Sequence, residues 1–68
     1  MLALRRERLN RGWSLTQLTV MTGIDTAALS RIERQVWPCG PGWRRRIAEA
    51  FGMPEELLFA EVSDDERN

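Results

Sequence analysis

Histidine, tyrosine and lysine do not occur in this 68-residue chain, and there is one cysteine, Cys39. Without histidine, neither a Ser–His–Asp nor a Cys–His nucleophilic site has its base, and one cysteine cannot complete a zinc-ligand set. There is also no glycine-rich phosphate loop, so we expect no enzyme, no bound metal and no cofactor. A lone cysteine cannot form an internal disulfide, which is consistent with the reducing cytoplasm.

Long apolar runs are also missing, since no purely apolar stretch exceeds four residues. The chain therefore has no segment able to span a membrane and no signal-peptide pattern. With 43% apolar and 29% charged residues, the composition predicts a soluble, cytoplasmic, globular protein. The length allows one small domain, which we place at residues 1–62, followed by a flexible acidic tail at residues 63–68.

The charges are unevenly distributed, although the formal net charge is zero. Nine of the ten arginines lie in residues 1–46, together with only three acidic residues. Residues 47–68 contain the remaining arginine and seven acidic residues. This asymmetry favours a basic surface that faces a polyanion, and the alternative is that the arginines only solvate helix faces.

Helix-terminating residues predict five short helices. The first helix stops at Gly12, and the second is predicted from Leu15 to Thr22, between a Ser14–Gln17 capping box and a terminal Gly23. Asp25 is a favourable N-cap for a third helix that runs to about Arg34 and buries Leu29 and Ile32. Residues 35–42 form a loop, because two prolines and two glycines interrupt any helix. A fourth helix extends from Pro41 to Phe51, and a fifth opens at Pro54 and continues through Val62.

Helices 2 and 3 have the outline of a helix-turn-helix, in which the second helix enters the DNA major groove by its N-terminal end. In this chain that end begins Thr26-Ala27-Ala28 and continues with Ser30 and Arg31. None of these side chains except Arg31 is large, so the helix can approach a groove closely. The spacing alone is unspecific, because any helical hairpin can show it.

From Leu4 to Leu58, roughly 80% of its length, the chain resembles the Cro/CI-type (XRE) helix-turn-helix family of phage repressors and small bacterial regulators. The matching segments are Leu4, Arg8, Gly12-Trp13-Ser14, Leu18, Gly23-Ile24-Asp25, Leu29-Ser30-Arg31-Ile32-Glu33, Pro38, Ile47-Ala48-Glu49-Ala50-Phe51-Gly52-Met53 and Leu57-Leu58. The resemblance implies an all-α fold, a compact five-helix lambda-repressor-like DNA-binding domain. The chain departs from the family pattern at three positions: Thr19 replaces an alanine, Leu15 a polar residue that contacts phosphate, and Gln35 the glycine that usually ends helix 3.

The resemblance implies that four residues of the third helix face the base edges, namely Thr26, Ala27, Ser30 and Arg31. Helical spacing agrees, because these positions lie opposite the apolar positions of the same helix. Arg31 is the strongest candidate for direct readout, since a guanidinium matches guanine O6 and N7. The alternative for Arg31 is a surface arginine paired with a neighbouring acid. Thr26 can offer its methyl group to thymine or bond a phosphate.

Phosphate contacts are expected at helix N-termini and from the arginines around the third helix. The candidates are Ser14, Gln17, Arg34, Arg44 and Arg45. The alternative is that the arginines only provide solubility and that Ser14 is only a cap. The family resemblance also implies a partly buried, structural salt bridge between Arg8 and Glu33.

The aromatic residues fall into two groups. Trp13 and Trp43 stand at core positions of the family, whereas Trp37 lies in the loop. Trp37 can cap the core, rest on the sugar–phosphate backbone or pack against a second subunit. Phe59 and Val62 lie beyond the residues that close the core and are expected to expose apolar area in a monomer. Family members pair through this region, so the predicted homodimer interface comprises Trp37, Phe59 and Val62.

We interpret the sequence as that of a transcriptional regulator, with repression favoured over activation. A homodimer would bind a palindromic operator in double-stranded DNA, with residues 26–34 in the major groove. The small size suits a phage Cro-like repressor, a restriction–modification controller, or an antitoxin whose partner is a toxin. The alternative is a protein-interaction module that no longer reads DNA. The apolar residues Leu15, Ala27 and Ala28 favour this alternative, because they have no side-chain groups for hydrogen bonds.

Overall fold

The structure, a computed structural model, describes residues 1–63. In that range it contains five helices: α1 (Ala3–Asn10), α2 (Leu15–Thr22), α3 (Thr26–Glu33), α4 (Pro41–Phe51) and α5 (Glu55–Leu58). The predicted all-helical, five-helix fold is thereby confirmed. None of the described helices is long and apolar enough to cross a membrane. Apart from Ser63, the predicted acidic tail lies outside the described residues.

The start of α2 follows from the predicted capping box. The Gln17 backbone N–H donates to Ser14 Oγ at 3.0 Å, and the Ser14 backbone N–H donates to Gln17 Oε1 at 2.8 Å. These two bonds satisfy amide groups that would otherwise have no partner at the helix N-terminus. The local sequence therefore determines where α2 begins.

The turn between α2 and α3 depends on Gly23, whose φ of 75° is strained for residues with a side chain. The preceding Thr22 is buried, and its hydroxyl donates to the Leu18 carbonyl at 2.7 Å and accepts from the Ile24 amide at 3.2 Å. Asp25 then caps α3 by accepting from the Ala27 amide at 3.0 Å. The turn is thus held by local bonds, which fixes the angle at which α3 leaves α2.

The core lies between the five helices and receives at least one side chain from each. Its fully buried side chains are Leu4, Leu18, Ile24, Leu29, Ile32, Ile47 and Leu58. Trp13 and Trp43 pack against this core while remaining partly exposed. Because α3 contributes Leu29 and Ile32 to the core, its opposite face must point outward.

The prediction that helix 5 continues through Val62 is wrong, because α5 ends at Leu58. Beyond it the backbone pairs with the N-terminal segment: the Ala3 amide donates to the Ala60 carbonyl at 2.9 Å, and the Val62 amide donates to the Met1 carbonyl at 2.8 Å. These bonds between the two ends of the chain, around an isolated antiparallel bridge of Leu2 with Glu61, replace further helical turns.

Phe59 and Val62 are also less exposed than the sequence suggested, since both are half-buried. Phe59 packs against the core, and the Arg44 guanidinium carbon lies 4.1 Å from the centre of its ring. Part of each side chain stays exposed, so the expected apolar area is reduced and not removed. Contact with Arg44 and pairing with the N-terminal segment account for the reduction.

Candidate nucleic-acid interface

The outward face of α3 carries the residues that the sequence assigned to base contacts. Thr26, Ala27 and Arg31 are exposed, and Ser30 is half-buried. The inward face of the same helix consists of Ala28, Leu29, Ile32 and Glu33, all buried. One side of α3 is thus anchored, and the other presents small and polar groups beside one arginine.

An ion pair anchors α3 to α1. Arg8 Nε donates to Glu33 Oε2 at 2.7 Å, and Arg8 Nη2 donates to Glu33 Oε1 at 3.0 Å. Arg8 Nη1 also donates to the Trp13 carbonyl at 2.9 Å, and the side chains of Arg8 and Glu33 are only 9% and 3% exposed. This bidentate geometry is the strongest arrangement of an arginine–carboxylate pair. The pair therefore has a structural role and is not accessible to a ligand.

Thr26, the first residue of α3, is linked to α2 through Thr19. The two hydroxyl oxygens lie 2.9 Å apart, and either hydroxyl can donate. Thr19 is one of the positions at which the sequence departs from the family pattern, and its hydroxyl now has a role at the surface of the helix pair. The bond orients the Thr26 side chain before any ligand arrives. Local sequence patterns did not point to Thr19, because the contact joins two helices.

Arg31 lies over an aromatic ring and has no acidic partner among residues 1–63. Its guanidinium carbon is 4.7 Å from the centre of the Trp37 ring. Within residues 1–63, no acid forms an ion pair with Arg31. The alternative interpretation of Arg31, as one half of a surface salt bridge, thus finds no partner in the described part of the chain.

The N-terminus of α2 is exposed, as a phosphate site requires. Ser14 and Gln17 are both exposed, and each uses one side-chain oxygen to cap the other's backbone. Leu15, which replaces a polar residue of the family pattern, packs against the core. The groups that we expect to contact phosphate at this end of α2 are therefore the Ser14 hydroxyl, the Gln17 amide group and backbone N–H groups, and not Leu15.

The arginines assigned to phosphates differ in how free their side chains are. Arg34 is exposed, and its Nε donates to the Ser30 carbonyl at 3.4 Å, which leaves the terminal nitrogens available. Arg45 is exposed on α4. Arg44, in contrast, donates from Nε to Glu55 Oε1 at 3.2 Å and stacks on Phe59. Arg44 is thus already engaged on the side of α4 that faces α5.

Arg46 is the arginine of α4 that lies at the turn of the helix pair, and sequence reasoning missed it. A Cβ placed on Gly23 would lie 3.8 Å from Arg46 Nη1. Consecutive helical positions are about 100° apart, so Arg44, Arg45 and Arg46 point in three directions. Only packing of α4 decides which of them reaches the turn. The run of three arginines in the sequence is a signal for a basic surface, but it does not show which of the three lies beside Gly23.

Cys39 shows no sign of a reactive thiolate. Its side chain is half-buried, and burial raises the pKa of the thiol, an effect that the nearby Arg44 charge opposes only in part. The thiol therefore stays protonated at neutral pH, the form in which cysteine is a poor nucleophile.

The fold and its outward α3 define a helix-turn-helix domain. Comparison with known families agrees: residues 2–60 match the family described as "Helix-turn-helix domain". The chain belongs to this family, and its resemblance to the Cro/CI (XRE) type is confirmed. Membership assigns it to the DNA-binding helix-turn-helix regulators. Among curated proteins and among solved structures, no match to this chain was found.

Proposed function

We propose that this protein is a sequence-specific transcriptional regulator, acting mainly as a repressor, that inserts α3 into the major groove of its operator. The observation that carries the proposal is the two-sided character of α3. Leu29, Ile32 and Glu33 are anchored in the domain, while Thr26 and Arg31 stand exposed on the outer face. A rigid helix with a free polar face is what direct readout of base edges requires.

In this proposal the base contacts come from Thr26, Ala27, Ser30 and Arg31. Arg31 donates two hydrogen bonds to guanine O6 and N7, and Thr26 and Ala27 place methyl groups against thymine. The Thr19–Thr26 bond leaves the Thr26 methyl group as its main recognition feature. Ser30 is half-buried and therefore the least accessible of the four. Specificity therefore rests chiefly on Arg31.

Phosphates on either side of the groove are bound by groups around α3. We assign them to Ser14 and Gln17 at the start of α2, and to Arg34 and Arg45. Arg46 is added because it lies beside Gly23 in the turn. Arg44 already pairs with Glu55 at 3.2 Å and packs against Phe59, so we rank it below the other arginines.

Binding to random-sequence duplex DNA should weaken steeply as salt rises. Each neutralised phosphate adds about −0.9 to the slope of log K against log salt concentration. Arg45→Ala should weaken binding to all sequences by a similar factor and make the slope less steep by about 1 per protomer. The measurement is a fluorescence-anisotropy titration at several salt concentrations.

Arg5→Ala is the matched control for this titration, since Arg5 is exposed on α1 and is not assigned to the interface. This variant removes the same charge and should leave the slope unchanged. A wild-type protein with no affinity for DNA at low salt would refute the proposal and favour the protein-interaction alternative. Equal effects of the two variants would show only a general dependence on net charge.

We also propose that the regulator acts as a homodimer, paired through the surface next to Trp37, Phe59 and Val62. A groove of about 260 Å³ lies there, and Trp37 and Phe59 are among its lining residues. Val36, another of them, is 62% exposed, and Trp37 is 46% exposed. A twofold pair formed here would present two α3 helices to half-sites about 34 Å apart, as a palindromic operator requires.

Val36→Asp should weaken this dimer at least about tenfold, because it places an unpaired charge in an apolar contact. Val36 is exposed, so the monomer should stay folded. Sedimentation equilibrium measures the association, and Val20→Asp serves as the control, since Val20 is 81% exposed on α2. A monomeric wild-type protein at the concentrations that saturate DNA would contradict the homodimer.

A further inference from the structure

The chain bends sharply at the C-terminal end of α3 and carries Trp37 back to the side of the helix. The Gln35 amide donates to the Ile32 carbonyl at 3.0 Å, and the Val36 amide donates to the Arg31 carbonyl at 3.0 Å. This pair of bonds is a Schellman motif, which requires a left-handed residue at Gln35. Gln35 indeed has a φ of 63°, although it is not glycine.

A bond to the C-terminal segment holds this strained residue. Gln35 Nε2 donates to Glu61 Oε1 at 2.8 Å, and Glu61 Oε2 accepts from the Met1 amino group at 2.7 Å. Both hydrogen bonds lower the pKa of the Glu61 carboxyl, and the bond from the amino group has the larger effect. The carboxylate therefore stays ionised near neutral pH. Because it also binds Gln35, the position of the turn does not depend on α3 alone.

The bend brings the Trp37 ring over the Arg31 guanidinium, with the guanidinium carbon 4.7 Å from the ring centre. A guanidinium that lies flat on a ring keeps its hydrogen bonds, because they point outward in its plane. In that arrangement the edge of Arg31 that would meet guanine stays available while the side chain is held. An unsupported arginine on a surface would have to lose more rotamer freedom on binding.

We infer that Trp37 is a positioning residue for Arg31: it holds the guanidinium in place at the end of the reading face and so sharpens the choice of one base pair. This inference rests on the proposed function, because it assigns a role within base recognition. Contact with Arg31 also accounts for the position of the Trp37 ring without a contact to the sugar–phosphate backbone.

The test compares two replacements of Trp37 on an operator selected from random DNA. Trp37→Leu keeps apolar volume but removes the ring, and Trp37→Phe keeps a ring. The measured quantity is the ratio of dissociation constants for the selected site and for the site altered at the Arg31 base pair. Since it is a ratio, a uniform loss of affinity, including one caused by weaker dimerisation, cancels.

We expect Trp37→Leu to lower this ratio about 2–5-fold, and Trp37→Phe to restore part of it. In an Arg31→Ala background Trp37→Leu should have no further effect on the ratio, because the two residues act as one unit. An unchanged ratio in Trp37→Leu, while Arg31→Ala lowers it, would overturn the inference.

A second readout does not depend on DNA binding. The NMR order parameter of the Arg31 Nε–H group should fall in Trp37→Leu and be largely kept in Trp37→Phe. If the wild-type protein fails to bind DNA but the order parameter behaves as expected, the proposed function fails and the contact stands. If the order parameter does not change, Trp37 does not position Arg31.

Discussion

Glu33→Ala should lower the free energy of unfolding by about 3–5 kcal/mol, the largest effect we expect from a single substitution. The substitution leaves the Arg8 guanidinium buried without its carboxylate, and the Trp13 carbonyl is then its one acceptor among residues 1–63. A domain of this size has a total stability of about 3–10 kcal/mol. The variant should therefore lose a large part of its stability, which urea denaturation followed by circular dichroism measures.

Two further variants separate this effect from a general loss of charge. Glu7→Ala removes a carboxylate that lies 3.6 Å from Arg11 in a partly exposed pair and should cost less than about 1 kcal/mol. The double variant Arg8→Met/Glu33→Leu removes both buried charges and should recover much of the stability lost in Glu33→Ala. A Glu33→Ala protein as stable as the wild type would contradict the role given to this pair.

Arg31→Ala should weaken binding to the selected operator by about 1–3 kcal/mol, or roughly 5–150-fold, and relax the preference at one base pair. The physical reason is the loss of a two-bond contact to guanine from a side chain without a competing acid among residues 1–63. Dissociation constants for the operator and its single-base variants provide the measurement.

Arg34→Ala is the matched control for this experiment. Arg34 is also exposed at the end of α3, but we assign it to phosphate, so its loss should weaken all sequences by a similar factor. If Arg31→Ala leaves the order of preference among the sites unchanged, Arg31 does not read a base. The assignment of sequence recognition to this end of α3 would then be wrong.

Local signals in the sequence were sufficient to predict most helix ends. Ser14 with Gln17, Gly23 and Asp25 each act through bonds to residues two to four positions away, and all three occur in the structure as expected. The outward face of α3 follows from the same kind of information, since burial of Leu29 and Ile32 fixes the opposite face. Short-range hydrogen bonding and helical periodicity explain this success.

Contacts between distant segments account for what the sequence did not indicate. The end of α5 depends on pairing of residues 60–62 with residues 1–3, and no local pattern encodes that pairing. The place of Trp37 depends on Gln35 taking a left-handed conformation that glycine usually occupies, with support from Glu61. The choice among three neighbouring arginines on α4 likewise depended on which side of that helix faces Gly23.

The central claim is that the outer face of α3 binds the DNA major groove, and chemical-shift mapping tests it most directly. ¹⁵N-labelled protein is titrated with the selected operator duplex, and backbone amide shifts are recorded along the chain. We predict the largest changes at residues 26–31 and at the start of α2, with little change in α5. Unchanged amides at residues 26–31, with shifts confined to another surface, would contradict the claim.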